Sequence, residues 1–119
     1  MKIDYMIMEN YEKDYFSLDE IMQVVCTTFG IEKELLISKS RAKPLPEIRY
    51  IFFYLAKYNA KVKEKKVNLQ IIADYCNRKT HVSVLHGIRN YKTWYITDKK
   101  FREKADAVKL IRAEIKLFN

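Results

Sequence analysis

Between Asn68 and Tyr91 apolar residues recur at helical spacing in two short runs separated by a polar turn. In the first run Leu69, Ile72, Ala73 and Cys76 share a face, and Asn68 is a good N-cap. In the second, Val84, Leu85 and Ile88 share a face, and Thr80 caps a helix that begins at His81 and runs to about Tyr95. Lys79, Thr80, His81 and Ser83 cluster at the start of that second helix, off its aliphatic back. Two short helices joined by a tight turn, the second with polar donors in its first turn, predict a helix-turn-helix. Its second helix has the geometry that reads base edges in the major groove.

The rest of the chain allows little besides helices around that unit. Its 119 residues suffice for one domain with a core but not for two. The 49% hydrophobic and 13% aromatic content argues against disorder. Two Gly and two Pro leave few hairpin signals, so the expected architecture is all-α, a bundle of about five to six helices. No apolar run is long enough for a membrane span and no secretion signal is visible, which predicts a cytoplasmic chain without membrane contact. Cys26 and Cys76 are isolated, as expected of reduced core thiols.

Local signals order the elements. Ser17 and Glu20 form a capping box, opening a helix with Leu18, Ile21, Val24, Val25 and Thr28 on its inner face. Gly30 closes that helix, and a short helical turn follows over 32–37. Residues 38–44 form a basic loop. Pro46 suits the first turn of the next helix, whose stripe is Ile48, Ile51, Phe52 and Leu55, with Arg49 and Lys57 outside it. The lysine-rich 61–66 run fits either a solvated connection or a helix extension. Thr97 or Asp98 caps a last helix to roughly Leu117, with Phe101, Ala105, Val108, Ile111 and Ile115 at helical spacing. The domain is expected over 17–119, preceded by an acidic arm over 1–16.

Net charge is +8, unevenly spread. Residues 1–20 carry Lys2 and Lys13 against six acids, a net of −4, so the remainder holds +12. Between Lys39 and Lys66 nine basic residues face two acids. A basic body joined to a helix-turn-helix points to nucleic acid.

The stretch Asn77–Gly87 also resembles the signature of the C-terminal DNA-binding domain of DnaA, the bacterial chromosomal replication initiator. His81, Val84, Leu85 and His86 match, with Lys79 for an Arg and Ser83 for a Thr. The resemblance extends upstream through Ile21–Phe29, Gly30–Ile31, Leu35–Arg41, Leu55–Lys57 and Asn68–Tyr75, over roughly residues 20 to 95. It implies a Trp-repressor-like fold that binds double-stranded DNA, in replication initiation or its regulation. The chain departs from the pattern at Thr80, where the family has an acid, and at Val82, where it has Ser or Thr. Asn77 and Arg78 replace two turn glycines, and about five extra residues lie within Ala60–Val67.

Recognition needs two kinds of contact, phosphate contacts for affinity and register and base-edge contacts for sequence preference, and the resemblance aligns Arg41, Arg49, Lys57 and Ser83 with such positions. Lys39, Arg49, Lys57 and Ser83 are the expected phosphate contacts. Arg41 corresponds to an arginine that enters the minor groove, where a narrow A·T tract concentrates negative potential. Lys79, Thr80 and His81 are the expected major-groove base contacts, and Lys79 or Arg78 could donate to guanine. Thr80 cannot replace a carboxylate that accepts from cytosine, so the expected site differs there from the family's short asymmetric box.

Other chemistries find less support. Cys76, His81 and His86 are five apart, which on a helix sets the two histidines about 140° from one another, so no metal site is expected. Trp94, Tyr91 and Tyr95 suit packing better than base stacking. The only glycines, Gly30 and Gly87, begin no phosphate-binding loop, so neither a nucleotide nor another cofactor is expected, nor is enzymatic activity. The initiator's ATPase module has no counterpart in the chain, and a monomer on each site is expected. Two rivals remain: a dimeric Trp-repressor-like regulator on a palindrome, and a protein-interaction module that has lost DNA reading and docks a partner through 1–16.

Overall fold

The computed structural model describes residues 15–63 and 65–110. The first helix among the described residues, α1 (Leu18–Phe29), starts where the capping box sets it. Glu20 N–H donates to Ser17 Oγ at 3.1 Å, and Ser17 N–H donates to Glu20 Oε1 at 2.9 Å. Gly30, at φ 64°, supplies the left-handed turn that ends it. Leu18, Ile21, Met22 and Val25 are buried. Thr28, expected on that face, is exposed and returns its hydroxyl to the Val24 carbonyl at 2.7 Å. Met22 takes the core position instead.

A single turn, α2 (Lys33–Leu36), lies within the expected 32–37 span. The longer α3 (Leu45–Asn59) carries Pro46 in its first turn, where the missing N–H has no intrahelical partner to lose. Its buried residues include Ile48, Ile51, Phe52 and Phe53, while Leu55 is half-buried. The lysine-rich connection is neither an extended helix nor a free coil. Strands β1 (Lys61–Val62) and β2 (Lys65–Lys66) pair antiparallel, with Lys61 opposite Lys66 and Lys63 at φ 52° in the turn. Ahead of α1, Phe16 bridges to the end of α3 through Phe16 N–H to the Asn59 carbonyl and Lys61 N–H to the Phe16 carbonyl, both 3.0 Å.

The expected pair follows as α4 (Leu69–Tyr75) and α5 (His81–Thr97). Asn68 Oδ1 accepts from Ile71 N–H at 2.8 Å, and Thr80 Oγ1 from Val82 N–H at 3.3 Å. The last described helix, α6 (Lys99–Ala107), is capped by Asp98, whose Oδ1 accepts from Phe101 N–H at 3.1 Å. It stops well short of Leu117: Val108 is extended, at φ −84° and ψ 114°, yet still buried. The apolar period therefore outlasts the helix, because Val108 reaches the core from an extended backbone. Ile111 and Ile115, and nearly all of the 1–16 arm, lie outside the described residues.

Helix α3 is the centre of the packing, with α1 on one side and α5 on another, and α5 also packs on α4 and α6. Phe52 stacks on Tyr75 at 5.9 Å, and Tyr54 stacks closely on Tyr91 at 3.9 Å. Phe101 meets Tyr91 and Trp94 edge-on, both at 5.5 Å, which ties α6 to α5. The aromatic residues of α5 are thus packing residues. Among the described residues no helix is long and apolar enough to cross a membrane.

Candidate nucleic-acid interface

The turn between α4 and α5 aims the start of α5. Arg78 N–H donates to the Ala73 carbonyl at 2.8 Å, and Asn77 sits at φ 57°. Asn tolerates this left-handed backbone, so Asn77 can hold a position that the resemblance gives to a glycine. His81 N–H donates to Gln70 Oε1 at 3.1 Å, and Gln70 in turn donates to Asp74 Oδ1 at 2.9 Å. A side chain of α4 thereby holds the first amide of α5. Nothing local in the sequence marks Gln70 for this, since the contact exists only once the two helices cross. With that turn fixed, Lys79, Thr80, His81, Val82 and Ser83 are all exposed, while Val84 and Ile88 are buried behind them and Leu85 is partly buried.

The basic loop before α3 is held from inside. Arg49 was expected outside the α3 stripe as a phosphate contact. It is instead 8% exposed, and its guanidinium donates to three backbone carbonyls, one at the end of α2 and two in the loop. Nε reaches Leu36 O at 2.6 Å, Nη1 Ser40 O at 2.5 Å and Nη2 Ser38 O at 2.8 Å. Burial first, and Arg78 second, pull the Arg49 pKa below its usual value. A planar fork suits this work, because one cation satisfies several orphan carbonyls. Arg49 therefore organises the loop, and its donors point into the protein. Arg78, a possible guanine donor by sequence, instead donates from Nη1 to Ile37 O at 3.2 Å and from Nη2 to Ser38 O at 2.9 Å.

These contacts bring the loop and the first turn of α5 together around one shallow cavity of about 370 Å³. Lys39, Arg41, Arg49, Arg78 and Lys79 supply its cations. Asn77, Thr80 and Ser83 complete the wall, and no carboxylate lines it. His81 lies next to it in chain order but does not line it. Lys57 is elsewhere: in the last turn of α3 its ammonium lies 5.9 Å from the Tyr58 ring centroid, and Lys92 lies 5.5 Å from the same ring. A larger cavity, about 570 Å³, has Asp19 and Glu32 on its wall with Lys33 as its one cation, so it lacks the basic lining that a polyanion needs. The Cys76 thiol is buried, which pushes its pKa up to about 12, so it behaves as a packing residue. Among the described residues no group of His, Cys and acidic side chains could hold a metal.

An α4–turn–α5 pair with an exposed polar first turn, set beside a basic loop, defines a helix-turn-helix domain. The chain belongs to the helix-turn-helix family of the bacterial DnaA protein, whose family model matches residues 18–90. It is 28% identical over 95 residues to the chromosomal replication initiator protein DnaA of Bacteroides fragilis, covering 80% of this chain and 19% of that protein. The DnaA of Oleidesulfovibrio alaskensis is 34% identical over 92 residues, covering 76% of this chain and 19% of the relative. The DnaA of Nautilia profundicola is 29% identical over 98 residues, covering 82% and 21% respectively. The chain thus spans about a fifth of the length of these relatives. No solved structure matches it.

Proposed function

We infer that the chain binds double-stranded DNA sequence-specifically, in replication initiation or its regulation. It binds as a monomer on each site, with no nucleotide, cofactor or catalytic step. The observation that carries this is the acid-free basic cavity joining the 38–44 loop to the exposed first turn of α5. Cations on two elements allow two grooves to be engaged at once. The start of α5 presents Lys79, Thr80 and His81 to base edges in the major groove, while Arg41 reaches the minor groove. Lys39, Lys57 and Ser83 contact phosphates. The exposed isopropyl of Val82 adds an apolar surface suited to a thymine methyl.

Selection from randomised duplexes, followed by mobility shifts across a salt series, tests this. Affinity should fall steeply with salt, since each neutralised phosphate contributes roughly −0.9 to the slope of log affinity against log salt. Lys57→Ala should weaken all duplexes alike and reduce that slope by about 1. Arg41→Ala and His81→Ala should instead lower the preference for the selected site over a scrambled one by about tenfold each. Three variants that behave identically would refute the assigned roles. Recovery of an unaltered family box would refute the altered specificity expected from Thr80.

A further inference from the structure

Ser38 O is the meeting point of two cations from different elements. Arg49 Nη2 of α3 donates to it at 2.8 Å and Arg78 Nη2 of the helix-turn-helix turn at 2.9 Å. Arg78 also holds Ile37 O at 3.2 Å, across 41 positions of sequence. Neither guanidinium has a carboxylate partner among the described ion pairs. Two like charges beside one carbonyl repel, so the arrangement persists only because the carbonyls need donors that the loop's own backbone does not supply. Within the loop only short local bonds exist, Ser40 N–H to Ser38 Oγ and Ala42 N–H to Ser40 Oγ, both at 3.2 Å. Arg49 ties the loop to α3, and Arg78 ties it to the turn that launches α5.

We propose that Arg78 is a positioning residue that locks the Arg41 loop to the start of α5, so that the two DNA-reading elements engage as one rigid unit. This rests on the DNA-binding function proposed above. An arginine free to swing would reach the minor groove only after its loop had been ordered, an entropic cost that falls on binding. With the loop held in advance by Arg78, that ordering is already complete in the free protein. The side chain itself touches no base: both of its terminal nitrogens face loop carbonyls.

Two measurements on the full chain test it, one of them without DNA. In free Arg78→Ala, shown to be folded by its thermal transition, the bonded loop amides of Ser40 and Ala42 should exchange hydrogen about tenfold faster than in the parent, with α3 and α5 unchanged. Arg78→Lys keeps the charge but cannot fork across two carbonyls, so it should leave the loop as unprotected as Arg78→Ala does. On the selected duplex, Arg41→Ala should lose about tenfold in site preference in the parent background and almost nothing in the Arg78→Ala background. Unchanged loop exchange, full rescue by lysine, or losses that simply multiply would each overturn the role. If the parent prefers no site, the DNA-binding function fails, and the exchange of the Ser40 and Ala42 amides still decides whether Arg78 holds the loop.

Discussion

Arg49→Met should destabilise the domain by about 3 kcal/mol, because hydrogen bonds to a charged group contribute roughly 1.5–3 kcal/mol net and several are lost together. Methionine keeps the apolar stem packed in α3 but leaves the carbonyls of Leu36 and Ser40 without their donor. Ser38 retains Arg78, which limits the damage. At about 4–8 °C per kcal/mol for a domain of this size, the melting temperature should fall by on the order of 15 °C. Arg49→Lys should recover less than half of that, since an ammonium is a point donor and cannot span separate carbonyls. Thermal unfolding without DNA makes the distinction. A solvated phosphate contact predicts an unchanged melting temperature and a weaker complex, and that outcome would return Arg49 to the DNA-contact role expected of it from sequence.

Gly87→Val should cost a similar amount, about 3 kcal/mol, by forcing α5 away from α3. A Cβ at Gly87 would lie 2.5 Å from Phe53 Cδ2 and 2.9 Å from Tyr50 Cδ1. Neither ring can retreat freely. Phe53 is 3% exposed, and Tyr50 packs against Trp94 at 5.4 Å. Valine adds two methyls to that overlap and the χ1 restriction of a β-branched residue in a helix. Gly87→Ala should fall between the two, because alanine gains roughly 1 kcal/mol of helix propensity over glycine and offsets part of the overlap. Denaturant unfolding of the three proteins gives the order directly: parent, alanine, valine. A valine variant as stable as the parent would mean that the α3–α5 approach is not limited at this residue. Because α5 carries Thr80 and His81 at its start, the same substitution should also weaken DNA binding in proportion to any helix displacement.

The elements legible in the sequence were those whose signals are local. The Ser17–Glu20 box, the Gly30 cap, the Asn68 and Thr80 caps and the aliphatic back of α5 each rest on residues within a turn or two of one another. The end of α6 was not legible for the same reason, as an apolar period continues through Val108 whether the backbone is helical or extended. The lysine-rich hairpin was undecidable because four residues in two short strands carry no periodicity to read. Among candidate site residues, Lys39, Arg41, Lys79, Thr80 and Ser83 do converge on one cavity. Lys57 does not join them, and Arg49 lines the cavity with its donors turned inward.

Residue order alone was enough to establish a helical domain, its helix-turn-helix and the polar first turn of α5, since capping and 3.6-residue periodicity act over a few neighbouring positions. Which arginines hold the protein together was decided only in three dimensions. The partners of Arg49 and Arg78 lie 9 to 41 positions away, and a cation in a sequence carries no mark of whether carbonyls or solvent will surround it. Packing of α3 against α5 and the loop supplied those carbonyls, and their unmet need for donors drew both guanidinia inward.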